Sequence, residues 1–354
     1  MAQQFQLGGQ ALIEGVMMRG PQHVAAAVRR ADGTIQTRVE RFDSLLKKLP
    51  FLNIVFLRGI FALIEMMRLG GGYLQWSSDI ALQDQAARDA AAKNGSNGAS
   101  APSVAEAMAS GDGVFPAVPS AAPAKKGAMG ALWPIVFALT ALCSFALGAV
   151  LFVVVPNFVA HFGFEPFIGK DARWKIVVLT LIEGAVKLGM FVLYVWFIGR
   201  RKEIKRLFAY HGAEHKVVYA VENRRPLTPA GARPFDTPHP RCGTGFALLT
   251  IFVGIFVYSF LPWPDNHLLR VFYRLLMLPV VAGVSYEVLK ATVNPRLSAL
   301  ASVVITPGMW LQRLTTSQPT DDQLEVACAA MQVLLKEEQI AYGSETKNAE
   351  EALV

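Results

Sequence analysis

On a helix, His211, Glu214 and His215 fall at i, i+3 and i+4 and project from one face. They lie in the run YHGAEHKVVYAVE, Tyr210 to Glu222. Two imidazoles at that spacing can hold one metal ion. The order H-x-x-E-H is that of the inverted zinc-peptidase motif, in which both histidines ligate and the glutamate activates a water. A second group follows in HPRCGTGF, where His239 and Cys242 offer borderline-soft donors that suit zinc. The chain holds six histidines in 354 residues, and three of them fall in these two short runs. The expected site therefore takes zinc or another divalent transition metal on His211, His215, His239 and Cys242, with Glu214 as base. If all four ligate, a tetrahedral zinc is full and structural; catalysis needs one position open. The plain alternative is a set of ordinary hydrogen-bonded side chains, because the motifs are short and the same helix has an apolar face in Val217, Val218 and Val221.

The elements that must position these residues are mostly apolar. Hydrophobic residues make up 53% of the chain and charged residues only 17%, which points to membrane segments. Four runs approach bilayer length: 131–155, 174–198, 245–261 and 271–289. The last of them carries Arg274 and Glu287 near its ends. Residues 199–244 form a basic loop that contains the His/Glu/Cys group, and the positive-inside rule places that loop and both termini in the cytoplasm. The net charge of +7 is explained by such loops without sequence-specific DNA binding. A further apolar run at 51–75 carries Arg58, Glu65 and Arg68 on a narrow stripe, which predicts an in-plane or re-entrant helix; the alternative is a fifth true span, which the arginines of the N-terminal segment argue against.

Outside the apolar runs, residues 1–50 form a β-containing segment with a hairpin turn at Asp32-Gly33. Residues 83–130 are rich in Ala, Gly, Ser and Pro and read as a disordered linker. In the C-terminal region, 290–354, Thr320 and Gln323 predict a capping box. The helix that follows has an apolar face of Leu324, Ala327, Cys328, Met331, Leu334 and Leu335. The three cysteines, Cys143, Cys242 and Cys328, are too few and too scattered for a disulfide framework. The N-terminus has no basic stretch before an apolar core, so no cleavable signal peptide is expected. The fold class is thus a mainly α, multi-pass membrane helix bundle. It has about four spans, an in-plane or re-entrant helix, a small N-terminal β-hairpin region and a cytoplasmic C-terminal helix.

A second polar set lies in or beside the apolar runs: Glu14, Arg58, Glu65, Glu183, Lys187 and Glu287. Glu183 and Lys187 are i, i+4 near the middle of a span and can pair. Charges at such depth face a cavity or the bundle interior. They serve either as a structural ion pair or as a transport or catalytic relay.

Five ordered stretches, GGQALIEGVMMRGP, YHGAEHK, HPRCGTGF, LPVVAGVSYEVLK and QRLTTSQPTDDQLEVA, resemble the YqhQ-like bacterial family, a domain-of-unknown-function group. The resemblance covers nearly the whole chain except residues 83–130. It implies a multi-pass plasma-membrane protein and a metal-dependent enzyme, with no substrate or reaction attached.

Three functions compete. The first is a membrane metalloprotein, a hydrolase with a cytoplasmic-face site. The second is a membrane scaffold whose metal only staples the fold and whose basic face binds anionic lipid, a cytoplasmic protein or a ribonucleoprotein. The third is a small transporter using the intramembrane carboxylates; the lack of a clear repeat counts against it.

Overall fold

The computed structural model describes residues 7–44, 46, 53–55, 57–93, 139–140, 142–168, 172–291 and 298–339. The chain opens with an antiparallel meander of four strands: β1 (Gly8–Leu12), β2 (Gly15–Arg19), β3 (His23–Arg29) and β4 (Ile35–Arg41). The β3–β4 turn is the expected one, with Gly33 at φ +89°, a conformation that favours glycine. β1 and β2 were not anticipated as strands, because their five-residue runs are glycine-interrupted and show no clean alternation.

The sheet is covered on both faces. Successive β3 residues point to opposite sides. Val24, Ala26 and Val28 pack with Leu12 and Met17 against Tyr73 and Ile80 of α1 (Leu57–Lys93). Ala25 and Ala27 pack with Val16 and Met18 against α4 (Lys202–Glu222) and α8 (Asp321–Glu337). Helix α8 starts with the expected capping box: Thr320 N donates to Gln323 Oε1 at 3.0 Å, and the Thr320 side chain accepts from the Gln323 amide. Its whole expected apolar face is buried. Each fully buried Leu or Met there contributes about 1.5–3 kcal/mol.

The apolar half contains α2 (Leu142–Phe167), α3 (Ala172–Ile198), α5 (Thr244–Tyr258), α6 (His267–Ala291) and α7 (Ser298–Thr315). Three helices are long and apolar enough to cross a bilayer: α2, α3 from Trp174, and α6. The expected fourth span, 245–261, is a correction. Helix α5 has 15 residues and rises about 22 Å, short of a hydrocarbon core about 30 Å thick. It starts only at Thr244 and ends in a turn before Pro262.

Two more boundaries move. Helix α1 is one unbroken helix of 37 residues, without the break a re-entrant segment needs, and it carries residues 83–93 that were expected to be linker. Residues 94–130 lie outside the described part. The expected span 131–155 begins outside it too; its helix runs on to Phe167 through turns widened to i→i−5. Val155 N bonds Val150 O and Glu165 N bonds Ala160 O. Pro156 has no N–H to donate, and the widened turns flank it. Helix α7 is not evident from the amino-acid sequence, because Pro307 and Gly308 interrupt a short apolar run. Its Gly308 meets Gly245 of α5 so closely that a Cβ on Gly308 would lie 3.0 Å from the Gly245 Cα.

Candidate metal centre

The polar group of α4 sits where three elements converge: α4 itself, the 223–243 loop leading into α5, and the end of α7. Several bonds pin that loop. Lys216 Nζ donates to Arg233 O at 2.9 Å and also to Phe235 O, while Tyr219 Oη donates to Pro238 O at 3.0 Å. Gln312 of α7 grips the backbone of residue 239 from both sides. Its Oε1 accepts from His239 N at 2.7 Å and its Nε2 donates to His239 O at 2.9 Å.

His211 and His215 stack edge-on, with ring centroids 4.4 Å apart. His211 Nδ1 donates to Thr315 O at 2.9 Å, and His215 Nδ1 donates to Thr237 O. A carbonyl only accepts, so each Nδ1 carries the proton and each Nε2 keeps its lone pair. Cys242 Sγ lies 3.2 Å from His211 Nε2. The donor atoms of His211, His215 and Cys242 all fall within 4.8 Å of one another. His215 Nε2 is buried and has no hydrogen-bond partner. Burial holds the His215 imidazole below its ordinary pKa, against the opposing pull of Cys242, so the ring is neutral near pH 7. Ring orientation through an Nδ1–H···O=C bond is the arrangement that readies an imidazole for a metal.

Glu214 and His239 stand beside this trio and outside it. Glu214 Oε2 lies 3.7 Å from His215 Nε2. The side chain is buried, and burial raises its pKa, opposed by His211, His239 and a hydrogen bond from Gly9 N. The contact with β1 is close: a Cβ on Gly9 would lie 2.9 Å from Glu214 Cγ. His239 packs against His215 and Tyr219, at centroid distances of 5.6 and 4.5 Å. Its Nδ1 accepts from Arg241 N at 3.3 Å, which puts the proton on Nε2, and that atom lies 3.5 Å from Glu222 Oε1. Of the five expected site residues, three share a centre, Glu214 borders it, and His239 turns to Glu222.

Residues 54–337 match the model of the family described as "Protein of unknown function (DUF1385)". The chain belongs to that family. It is also 35% identical over 338 residues to "Uncharacterized protein YqhQ" of Bacillus subtilis (strain 168), an alignment covering 94% of this chain and 93% of that protein. No solved structure gives a significant match. The family match takes in all five site residues and the segment 312–316, whose contribution was not foreseen. Gln312 and the Thr315 carbonyl act through the backbone or from an apolar helix end, where residue type alone carries little signal. The one clue was the polar run QRLTT closing an apolar stretch.

The second polar set is also placed. Arg58 pairs with Glu287, its Nε 2.6 Å from Oε1, and joins α1 to the end of α6. Glu65 is buried and accepts from Ser44 Oγ at 2.9 Å. Glu183 takes Lys187 Nζ at 2.8 Å, as expected, and also both branches of Arg274 at 2.5–2.8 Å.

Proposed function

We propose that this family member is a membrane metalloprotein whose His211, His215 and Cys242 bind one zinc-like divalent ion. The observation that carries the reading is the paired Nδ1–H···O=C bonds, which leave two Nε2 atoms within 4.8 Å of each other and of the Cys242 sulfur. Three donors leave a fourth position open for water, the condition for catalysis rather than stapling. Bound there, the metal would lower the pKa of a water. Glu214, bordering the centre with its pKa raised by burial, is suited to take that water's proton. The reaction class is metal-assisted hydrolysis. The basic segment 199–244 supports a cytoplasmic-face site in an inner-membrane protein. A structural metal in a partner-binding scaffold is the second reading; the buried His239 Nε2–H makes no hydrogen bond, and a ring turn with loss of that proton would supply a fourth ligand.

Elemental analysis of the purified full chain tests the site. Wild type is expected to carry about one metal ion per chain and His215→Ala to lose it. Metal-free wild-type protein would end both readings. His239→Gln separates them: an open three-donor site keeps its metal, whereas a closed four-donor staple loses it.

A further inference from the structure

A cavity of about 620 Å³ opens where the β1–β2 turn, the β3–β4 turn, α1 and α4 meet. Four guanidiniums line it, from Arg29, Arg30, Arg88 and Arg206, with two carboxylates, Glu14 and Asp84; Arg29 is also held by Glu325 Oε2 at 2.5 Å and by the Asp322 carbonyl at 2.9 Å. The carboxylates also serve to aim the arginines. Arg30 donates from Nε and Nη2 to Asp84 Oδ1 at 3.0 and 2.5 Å, while Asp84 Oδ2 is tied to Ala31 N at 2.6 Å. Arg206 reaches both oxygens of Glu14 at 2.5 Å. Glu14 sits in the left-handed region at φ 55°, an uncommon position for a non-glycine residue. Its backbone carbonyl takes Arg29 N at 2.8 Å. Arg88 makes no hydrogen bond or ion pair among the described residues. With Arg29, Arg30 and Arg206 each paired to a carboxylate, Arg88 is the cation in excess; a concave wall of planar guanidiniums with that surplus charge suits a phosphate-like anion, and the volume is that of a small-molecule pocket. Arg206 follows the end of α3 by eight residues, so the pocket lies close to where a crossing helix leaves the bilayer.

We propose that this cavity binds a phosphate-bearing anion, either a lipid headgroup or a soluble phosphorylated molecule, through Arg29, Arg30, Arg88 and Arg206. The site is separate from the metal centre and does not depend on it.

The test uses the full chain in detergent with a chelator present, so that phosphate held by a metal is not counted. One arm titrates inorganic pyrophosphate; the other compares phosphatidylcholine vesicles with and without phosphatidylglycerol. Binding is expected in at least one arm, and the arm that responds identifies the source. Arg88→Glu, at an exposed position that leaves folding intact, should weaken it about ten-fold, while Arg201→Glu, the same charge change outside the cavity, should not. No binding in either arm overturns the proposal. So does an equal loss from both variants, which would mean diffuse surface charge.

Discussion

Two buried polar clusters among the described residues differ in how completely they are satisfied. In the bundle, Glu183 and Arg274 are each 1% exposed. The Glu183 carboxylate receives four nitrogen-to-oxygen contacts, three from Arg274 and one from Lys187. The cations lie over the Tyr258 ring at 5.4 and 5.0 Å. At the other end of α5 the trio of His211, His215 and Cys242 has spent its outward-facing Nδ1 atoms on carbonyls, and a buried Nε2 is left over. In the ion cluster the one carboxylate is fully occupied by its two cations, and the contact ties α3 to α6. In the other cluster the buried His215 Nε2 lone pair has no hydrogen-bond partner, which is why the metal reading attaches there and not to the triad.

Removing one member should damage the closed cluster most. Glu183→Gln leaves two buried cations without their carboxylate, at a cost of about 3–5 kcal/mol. The combined replacement of Glu183, Lys187 and Arg274 by apolar residues should recover most of it. Thermal unfolding in detergent measures both. A near-wild-type midpoint for Glu183→Gln would mean that the triad does not lock the helices and would reopen a relay role.

The open cluster should instead show itself through pH. Burial holds both His215 and His239 below the ordinary imidazole value of about 6.5. In metal-free protein the unfolded chain therefore takes up protons first as pH falls. The stability these residues contribute is full above that value and lost progressively as pH drops through it toward their native values. Glu214 titrates the other way: its raised value means a contribution present at low pH and lost as pH rises through it. Unfolding midpoints between about pH 8 and pH 5.5 should fall toward acid, and His239→Gln should flatten the slope. An unchanged slope would show that His239 is not a buried neutral ring.

The smallest effect belongs to a pair that resembles the triad only in chemistry. Arg233 and Asp321 form an ion pair with side chains 62% and 57% exposed. Arg233→Ala should cost at most about 0.5 kcal/mol, because solvent screens the pair. A loss comparable to that of Glu183→Gln would show that burial is not what separates the clusters.

Local spacing made much of this legible. The i, i+3, i+4 pattern placed His211, Glu214 and His215 on α4, the Glu183–Lys187 pair followed from i, i+4, and the Asp32-Gly33 turn and the α8 capping box each depend on a few consecutive residues. These features are local because helix geometry and turn dihedrals are. Packing decided the rest. It brought Arg274 to Glu183 from 91 residues away. It set the carbonyls of Thr237 and Thr315 behind the His215 and His211 rings and turned His239 toward Glu222. It also set a glycine of β1 against Glu214. Such partners are chosen by which helix ends and strands meet in three dimensions, and backbone groups, common to every residue, leave no mark in the amino-acid sequence.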